Sequence, residues 1–317
     1  MTKTTLEKRT LDPSLCLLAG ERAGLFTTQE ALAHGMTPTQ LRLAVKLTLC
    51  RPVVRGVYSI GPPPGSREGR LAELTMAMLL ICPTAAATGR SALALRGIPL
   101  FGVNHERAQG VWTNRSSQHA TAHMVVRRPL VAPEVEEHDG WLLTSLAWNL
   151  VDLARDAGVE AGVVSMDAAL HQGLVQTDDV LDIVDRLGTS HRLASVQRMV
   201  ELSDPRSESA GESRLRLDLL EGCIEVEPQF EIRLASGQLF RSDFRVKGTK
   251  VLIEFDGLVK YAGADGRDVL AREKAREDAL RAEGWVIVRV TWADLVHPRQ
   301  LVARIKAAVA ATLQVAG

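Results

Sequence analysis

Residues 239–257 read LFRSDFRVKGTKVLIEFDG, and this stretch decides the fold of the C-terminal third of the chain. Residues 240–246 alternate between charged side chains and less polar ones, which predicts a strand with one buried face. The apolar run that begins at residue 251 predicts a second strand, and the Lys-Gly-Thr-Lys sequence between the two predicts the turn that joins them. The stretch therefore predicts a hairpin of a small sheet.

Three carboxylates lie on this predicted hairpin, although acids are depleted in strands and are seldom buried without partners. Asp243 is in the middle of the first strand, and Glu254 and Asp256 are two residues apart on the second, so that these two share a face. Acids that converge repel one another unless a cation or a proton joins them. The pattern predicts a Mg²⁺-type site, and the alternative is solvated acids that pair with nearby bases, namely Arg241, Arg245 or Lys250.

The composition of the chain restricts its class. At 317 residues with 46% hydrophobic residues, it is long enough for two or three domains with their own cores. It has no apolar run long enough to span a membrane, and its charged start lacks the apolar segment of a signal peptide. The cysteines are too scattered for a zinc ribbon or a redox pair. We expect a cytoplasmic protein with reduced thiols and no membrane partner.

The zero net charge hides an asymmetry between the two ends of the chain. Residues 1–128 contain 16 Lys and Arg against 7 Asp and Glu, whereas the remaining residues contain 22 against 31. A basic segment on a neutral protein suggests a polyanionic partner for that segment alone. Ordinary surface solvation is the alternative.

The N-terminal region has the pattern of a helix-turn-helix followed by a β hairpin. Thr27 or Thr28 is the predicted cap of the first helix, and Thr37 is that of the second. Gly35 lies in the turn between the two helices, and residues 52–60 are rich in β-formers. The predicted DNA-contacting residues are Thr39, Gln40, Arg42 and Lys46 on the second helix, with Arg51 and Arg55 at the hairpin. Such side chains can reach phosphates or base edges, and a purely structural helical module is the alternative.

This region resembles the N-terminal winged-helix domain of AbiEi-type bacterial antitoxins, through the F-T-T-Q-E-A, G-M-T and R-G-V-Y segments between Phe26 and Tyr58. The resemblance implies binding to promoter DNA and an adjoining part that answers to a toxin protein.

The chain as a whole is predicted to be an α+β or α/β multidomain protein. Residues 1–65 form the winged helix, and residues 66–205 form an α+β middle domain with a helical connector. The turn-rich sequence Asp204-Pro205-Arg206-Ser207 precedes a C-terminal domain of residues 206–317. Its predicted order of elements is α-β-β-β-α-β-α, with Glu212 on the first helix and a closing strand at WVIVRV.

This order, with an acid on the first helix, an Asp on the second strand and E-x-D on the third, resembles the PD-(D/E)XK, or restriction-endonuclease-like, fold. It is most similar to the branch that contains very-short-patch-repair endonucleases. The matching segments are Glu212-Ser213-Arg214, Arg241-Ser242-Asp243-Phe244, Ile253-Glu254-Phe255-Asp256-Gly257, Lys260-Tyr261 and Gly284-Trp285.

The resemblance implies a catalytic set of Glu212, Asp243, Glu254, Asp256 and Lys260. Asp243, Glu254 and Asp256 would bind Mg²⁺ or Mn²⁺, which activates water. Glu212 would hold a second metal ion or its water shell, and Lys260 would stabilise charge on the transition state. The fold usually has a lysine two residues after the acid, but here that position is Asp256. The alternatives are a Glu212–Arg216 salt bridge and a solvated Lys260.

These observations predict a protein that binds double-stranded DNA and hydrolyses its phosphodiester bonds with a metal ion. The rival is a transcriptional regulator, the antitoxin of a type IV toxin-antitoxin system, in which an inactive nuclease fold serves as scaffold or homodimer surface. An RNA-directed nuclease is a third possibility, because carboxylates recognise a phosphate and not a sugar.

Overall fold

The computed structural model describes residues 10–114, 117–129, 131–189, 191–257 and 266–315, with the backbone alone for residues 266–273 and 313–315. The described helices are α1 Pro13–Gly20, α2 Thr28–Ala33, α3 Pro38–Lys46, α4 Arg67–Ile81, α5 Gly89–Leu95, α6 Leu146–Ala157, α7 Val159–His171, α8 Thr177–Leu187, α9 Leu193–Leu202, α10 Ala210–Glu221, α11 Gly266–Ala282, α12 Trp292–Leu295 and α13 Pro298–Val315. The described strands are β1 Leu25–Thr27, β2 Arg51–Val54, β3 Val57–Ser59, β4 Ala85–Ala87, β5 Ala108–Trp112, β6 His119–Ala120, β7 Met124–Arg127, β8 Val135–His138, β9 Trp141–Thr144, β10 Val226–Arg233, β11 Leu239–Val246, β12 Val251–Asp256 and β13 Val286–Thr291.

The chain divides into two compact units. Unit 1 consists of Met1–Gly162 with Val175–Gln197, and unit 2 consists of Val163–Leu174 with Arg198–Gly317. Within the described residues, unit 1 contains a three-stranded and a six-stranded sheet, and unit 2 contains a four-stranded sheet. The mixed α and β class expected from the sequence is confirmed, while the boundaries at residues 65/66 and 205/206 stay predictions.

Unit 1 begins with three helices packed against the antiparallel sheet β1-β3-β2. Asp12 caps α1, and the predicted caps Thr27 and Thr37 each form a capping box, with Glu30 at α2 and with Gln40 at α3. Gly35, in the turn between α2 and α3, has φ +80°, a conformation that glycine adopts without strain. These caps fix where each helix begins and so which face of α3 is exposed.

The second sheet of unit 1 has the strand order β6-β7-β5-β4-β9-β8. Its core also contains Leu25, Val54 and Val57 from the first sheet, packed with apolar residues of α4 such as Leu74 and Met78. Two of its strands, β8 and β9, form a hairpin joined at Asp139-Gly140. Both turn residues have positive φ, which makes the reversal possible within two residues.

Unit 2 has the sheet order β10-β11-β12-β13, in which the first three strands are antiparallel and β12 runs parallel to β13. The hairpin predicted over residues 239–257 is therefore present as β11 and β12. Phe244 and Ile253 pack with residues of α10 and α13 such as Leu215 and Ile305. The other face of the sheet has a separate apolar cluster, whose members include Leu252, Leu280 and Ile232.

The predicted order α-β-β-β-α-β-α is found over residues 210–315 with one addition, the short helix α12 after β13. Unit 2 also includes most of α7 and the end of α9. At the start of α12, the Asp294 carboxylate accepts hydrogen bonds from the backbone N–H and the hydroxyl of Thr291, each at 2.8 Å. The Thr-x-x-Asp spacing is a sequence signal for such a helix start. No helix among the described residues is long and apolar enough to cross a membrane.

Candidate functional site

The strands β11 and β12 stop pairing at the position of the predicted acids. The antiparallel ladder joins Arg245 to Leu252 and Phe244 to Ile253, so the next residues across from each other are Asp243 and Glu254. There the carboxylate of Asp243 accepts a hydrogen bond from the backbone N–H of Phe255 at 2.7 Å. The two acids thus lie side by side at the edge of the paired region, with Asp243 held in place by backbone.

Glu212 approaches from the first turn of α10 and is only 7% exposed. It donates its backbone N–H to the Ser209 hydroxyl, and its carboxylate accepts from that hydroxyl at 2.8 Å. Its other oxygen accepts from the Glu208 N–H at 3.0 Å and from Nε2 of Gln229 at 2.9 Å. Arg216, the salt-bridge partner that helical spacing suggests, instead pairs with Asp167 at 2.7 Å.

Glu212 and Asp243 both resist ionisation. Burial is the largest cause that raises the pKa of Glu212, and the charge of Asp243 raises it further. Burial also raises the pKa of Asp243, with the charge of Glu208 adding to it, while the Phe255 N–H and the charges of Arg241 and Arg276 act in the opposite direction. Two acids shielded from water that repel each other gain stability when a proton or a cation joins them.

Gln229 contributes an oxygen beside these acids. It lies in β10 between the paired residues Pro228 and Phe230, and its φ of +52° marks a distortion of the strand. Its Nε2 holds Glu212, but its Oε1 is buried and has no hydrogen-bond partner among the described residues. An amide oxygen is an accepted ligand for Mg²⁺ or Ca²⁺.

Glu254 is paired with a base from α11. Its carboxylate lies 2.6 Å from Nη2 of Arg276, which also donates to the carbonyl of Arg241 at 2.9 Å. The Arg276 guanidinium stands 5.7 Å from the ring centre of Phe240. Arg276 thus pairs outside its own helix, whereas Arg281 of the same helix pairs with Glu277.

The predicted metal ligands are only partly assembled. Within the described ranges, no three His, Cys, Asp or Glu side chains lie together as a metal-binding group. Asp256 is half-buried at the end of β12, where it pairs with Thr291 of β13. Lys260, like Tyr261, lies outside the described residues. Glu212, Asp243 and Gln229 offer oxygen donors, which suit a hard divalent cation.

The predicted DNA-contacting residues fall into two groups. Thr39, Arg42 and Lys46 are exposed on α3, and Arg55 is exposed at the turn between β2 and β3. Gln40 is half-buried, and its Oε1 accepts from the backbone N–H of Thr37 at 2.7 Å as part of the cap.

Arg51, the sixth predicted contact, makes internal contacts. Its Nε donates to the carbonyl of Gly61 at 2.9 Å, its Nη2 donates to the carbonyl of Pro62 at 2.9 Å, and both Nη groups pair with the buried Glu73. Arg51 therefore ties β2 to the following loop and to α4.

The sequence interpretation missed three residues of this site. For Gln229 there was a sequence signal, because the preceding Pro228 predicts an irregular strand at that position. Glu208 is joined to Arg241 at 2.8 Å, and nothing in the local sequence of either indicates this pairing across 33 residues. Arg276 was hidden among the alternating charges of its helix.

Two uncharacterized proteins of Mycobacterium tuberculosis are similar to this chain, MT2308 of strain CDC 1551 / Oshkosh and Rv2248 of strain ATCC 25618 / H37Rv. Each is 27% identical over 282 residues, which cover 85% of this chain and 96% of the relative. The similarity therefore extends into both compact units. No protein-family model and no solved structure matches the chain.

Proposed function

We propose that this protein binds double-stranded DNA through its N-terminal region and hydrolyses DNA phosphodiester bonds at the acids of unit 2. The observation that carries the proposal is the meeting of the buried Glu212 of α10 with the half-buried Asp243 at the point where β11 and β12 separate, with the pKa of both acids raised. Acids with perturbed pKa values at a point where the sheet opens are typical of functional sites. The resemblance of this segment to PD-(D/E)XK nucleases supports the same conclusion.

The residues of the site would hold a Mg²⁺ or Mn²⁺ ion through oxygen atoms. Glu212, Asp243 and the free Oε1 of Gln229 are suitable ligands, and Glu254 would join them by leaving Arg276. Such an ion, when bound, activates water and neutralises the phosphate. Asp256 and Lys260 remain proposed members of the catalytic set.

The protein itself would supply orientation and charge. The Phe255 N–H fixes Asp243, and three donors fix Glu212, so neither acid has to be reordered when DNA binds. Arg276, once released from Glu254, would offer a cation to the scissile phosphate.

DNA binding is proposed for the exposed side of α3 and for the hairpin tip. The supporting features are the basic excess of residues 1–128 and the exposed Arg42, Lys46 and Arg55, with Thr39 beside them. Side chains of this kind contact phosphates and base edges. Because DNA is the proposed substrate, the proposed location is the cytoplasm.

The test is cleavage of supercoiled plasmid DNA by the full-length protein with Mg²⁺ or Mn²⁺. Wild type should nick the plasmid, and Asp243→Asn should abolish nicking while it preserves the fold. The matched control is Glu225→Gln in the same unit, since Glu225 is exposed and contacts only Lys247 among the described residues. Equal nicking by wild type and Asp243→Asn would refute the proposal.

The second candidate is a DNA-binding regulator or antitoxin in which unit 2 has no catalytic activity. The observation that favours it is the Glu254–Arg276 ion pair, because a base already neutralises one of the proposed ligands. In that role the partner of unit 2 would be a toxin protein or a second copy of the chain.

Calorimetry with Mn²⁺ separates the two candidates. Binding by wild type that is lost in Glu254→Ala supports the nuclease. Absence of binding by wild type, together with tight and salt-sensitive binding to one promoter, supports the regulator.

A further inference from the structure

A cavity of about 380 Å³ lies in unit 1. Four arginines line it. Arg127 and Arg128 are at the end of β7, Arg155 is on α6, and Arg192 is in the segment between α8 and α9. A cavity of this volume is within the usual range for small-molecule sites.

Two acids line the cavity, and the first of them, Asp156, has a positively charged partner. It forms an ion pair with Arg90, which is buried, and it accepts a hydrogen bond from Nε2 of Gln109 at 2.7 Å. These contacts hold the pKa of Asp156 below its ordinary value in spite of burial, which acts in the opposite direction. Asp156 is therefore held in its ionised form, and Arg90 balances its charge.

The second acid, Asp152, differs from Asp156, because burial raises its pKa while the Thr88 hydroxyl and the charges of Arg155 and Arg127 act in the opposite direction. Its carboxylate accepts a hydrogen bond from the Thr88 hydroxyl at 2.6 Å and lies 3.8 Å from Nη1 of Arg155. Arg155 is itself positioned by the His191 carbonyl, to which its Nε donates at 3.1 Å. Within the described residues, the ion pairs of the two acids are therefore with Arg90 and Arg155, and not with Arg127, Arg128 or Arg192.

In the part of the chain that the structure describes, Arg127, Arg128 and Arg192 form no ion pair. Arg127 and Arg128 are exposed and donate no hydrogen bond to a described residue, although the charge of Arg127 acts on Asp152 and Asp156. Arg192 donates to a neutral acceptor, the carbonyl of Arg155, at 3.1 Å. Like charges gathered in one cavity repel, and an anion bound between them would remove that cost.

We propose that this cavity binds a phosphate monoester, with Arg127, Arg128 and Arg192 as its anion ligands. Guanidinium groups match the geometry of phosphate oxygens and bind them through paired hydrogen bonds. A monoester is favoured over a diester because it carries up to two charges and three terminal oxygens, enough for more than one guanidinium. Such a group occurs on a free mononucleotide and on the 5′ end of a nucleic-acid strand, and the cavity volume admits either.

The proposal is tested by calorimetry on the full-length protein with four probes. AMP and a 5′-phosphorylated single-stranded oligonucleotide carry the monoester, whereas adenosine and the same oligonucleotide with a 5′ hydroxyl lack it. We expect each phosphorylated probe that binds to bind at least about tenfold more tightly than its unphosphorylated partner, the contribution of one charge-assisted hydrogen bond. Binding of AMP identifies a nucleotide site, and a preference confined to the oligonucleotide identifies an end-binding site.

Arg127→Gln and Arg128→Gln provide the variants, and both replace exposed side chains, so the fold should be retained. Each should weaken binding of the preferred phosphorylated probe by about tenfold and leave the unphosphorylated probe unchanged. Arg70→Gln is the control, because Arg70 is similarly exposed and pairs with Glu106. Absence of binding by both phosphorylated probes, equal affinity of the probes with and without phosphate, or an effect of Arg70→Gln as large as that of Arg127→Gln would each overturn the proposal.

Discussion

The carboxylate of Asp243 and the backbone N–H of Phe255 form a 2.7 Å hydrogen bond across the end of the β11–β12 ladder. This contact keeps a half-buried acid where burial raises its pKa. The folded protein therefore binds this proton more tightly than the unfolded chain does. The stability that Asp243 contributes is fully present below the ordinary aspartate pKa of 3.8 and is lost as the pH rises through the folded pKa.

Asp243→Asn should consequently raise the melting temperature by a few degrees at neutral pH. Asparagine has no charge to bury, and its side-chain oxygen can still accept from Phe255. The gain should shrink as the pH falls towards 3.8, because the wild-type carboxyl becomes neutral as well. Thermal unfolding followed by circular dichroism at several pH values provides the measurement, and a lower melting temperature for the variant at neutral pH would contradict the prediction.

Gly211→Ala should destabilise unit 2. A Cβ at this position of α10 would lie 1.9 Å from Cε1 of Phe255, whose ring packs edge-on against Trp292 with 5.2 Å between centroids. The ring has to move, and overpacking of this kind costs roughly 1–3 kcal/mol. Because Phe255 is flanked by Glu254 and Asp256, its movement should also reduce the proposed metal affinity.

Gly20→Ala is the control for this substitution, since a Cβ added at Gly20 meets no atom within 4 Å. Urea denaturation should show a lower unfolding free energy for Gly211→Ala and little change for Gly20→Ala. Equal stability of Gly211→Ala and wild type would mean that Phe255 can occupy another position without cost.

The elements of unit 2 could be predicted from the sequence because their signals are local. Alternation of side chains defines β11, and the Lys-Gly-Thr-Lys turn together with an apolar run defines β12. Strand β4 was missed because its sequence, Ala85–Ala87, has low β-propensity, and it is a strand because it pairs with β5 and β9. Tertiary pairing of this kind leaves no local signal.

The residues of the candidate site show the same difference between local sequence signals and tertiary pairing. Asp243 and Glu254 were found because acids in strands are unusual, whereas Arg276 and Glu208 are charged residues in ordinary surroundings. Their significance comes from partners more than 20 residues away, Glu254 for Arg276 and Arg241 for Glu208. For Arg51 the local sequence suggested a role that the tertiary contacts do not support. A base beside a hairpin predicted a nucleic-acid contact, but Arg51 forms an ion pair with Glu73.

Arg276→Ala should strengthen Mn²⁺ binding by about threefold to tenfold, up to about 1.4 kcal/mol, because Arg276 competes with the cation for Glu254. Calorimetry with Mn²⁺ measures the change. Arg281→Ala, which removes an exposed base paired with Glu277 on the same helix, should leave the affinity unchanged. Weaker Mn²⁺ binding by Arg276→Ala would show that the base supports the metal site instead of competing with it.

Glu73→Ala should destabilise unit 1 by on the order of 3 kcal/mol, since it leaves Arg51 as a partly buried charge without its acid. Arg55→Ala should have the opposite profile. Arg55 is exposed, so its loss should not change stability but should weaken DNA binding. Thermal unfolding and fluorescence anisotropy with labelled duplex DNA measure the two effects, and a stable Glu73→Ala variant would be evidence against the structural role of the pair.

The double substitution Arg42→Ala and Lys46→Ala should reduce the salt dependence of DNA binding. Both side chains are exposed on α3, and each phosphate contact that is lost should lower the slope of log K against log salt concentration by about 0.9. Affinity should fall to a similar extent for unrelated duplexes, because phosphate contacts carry no sequence information. Arg198→Ala, which removes an exposed base paired with Glu201, should leave the slope unchanged. If the double variant keeps the wild-type slope, the cationic side of α3 does not contact DNA, and the basic excess of the N-terminal region must act through other residues.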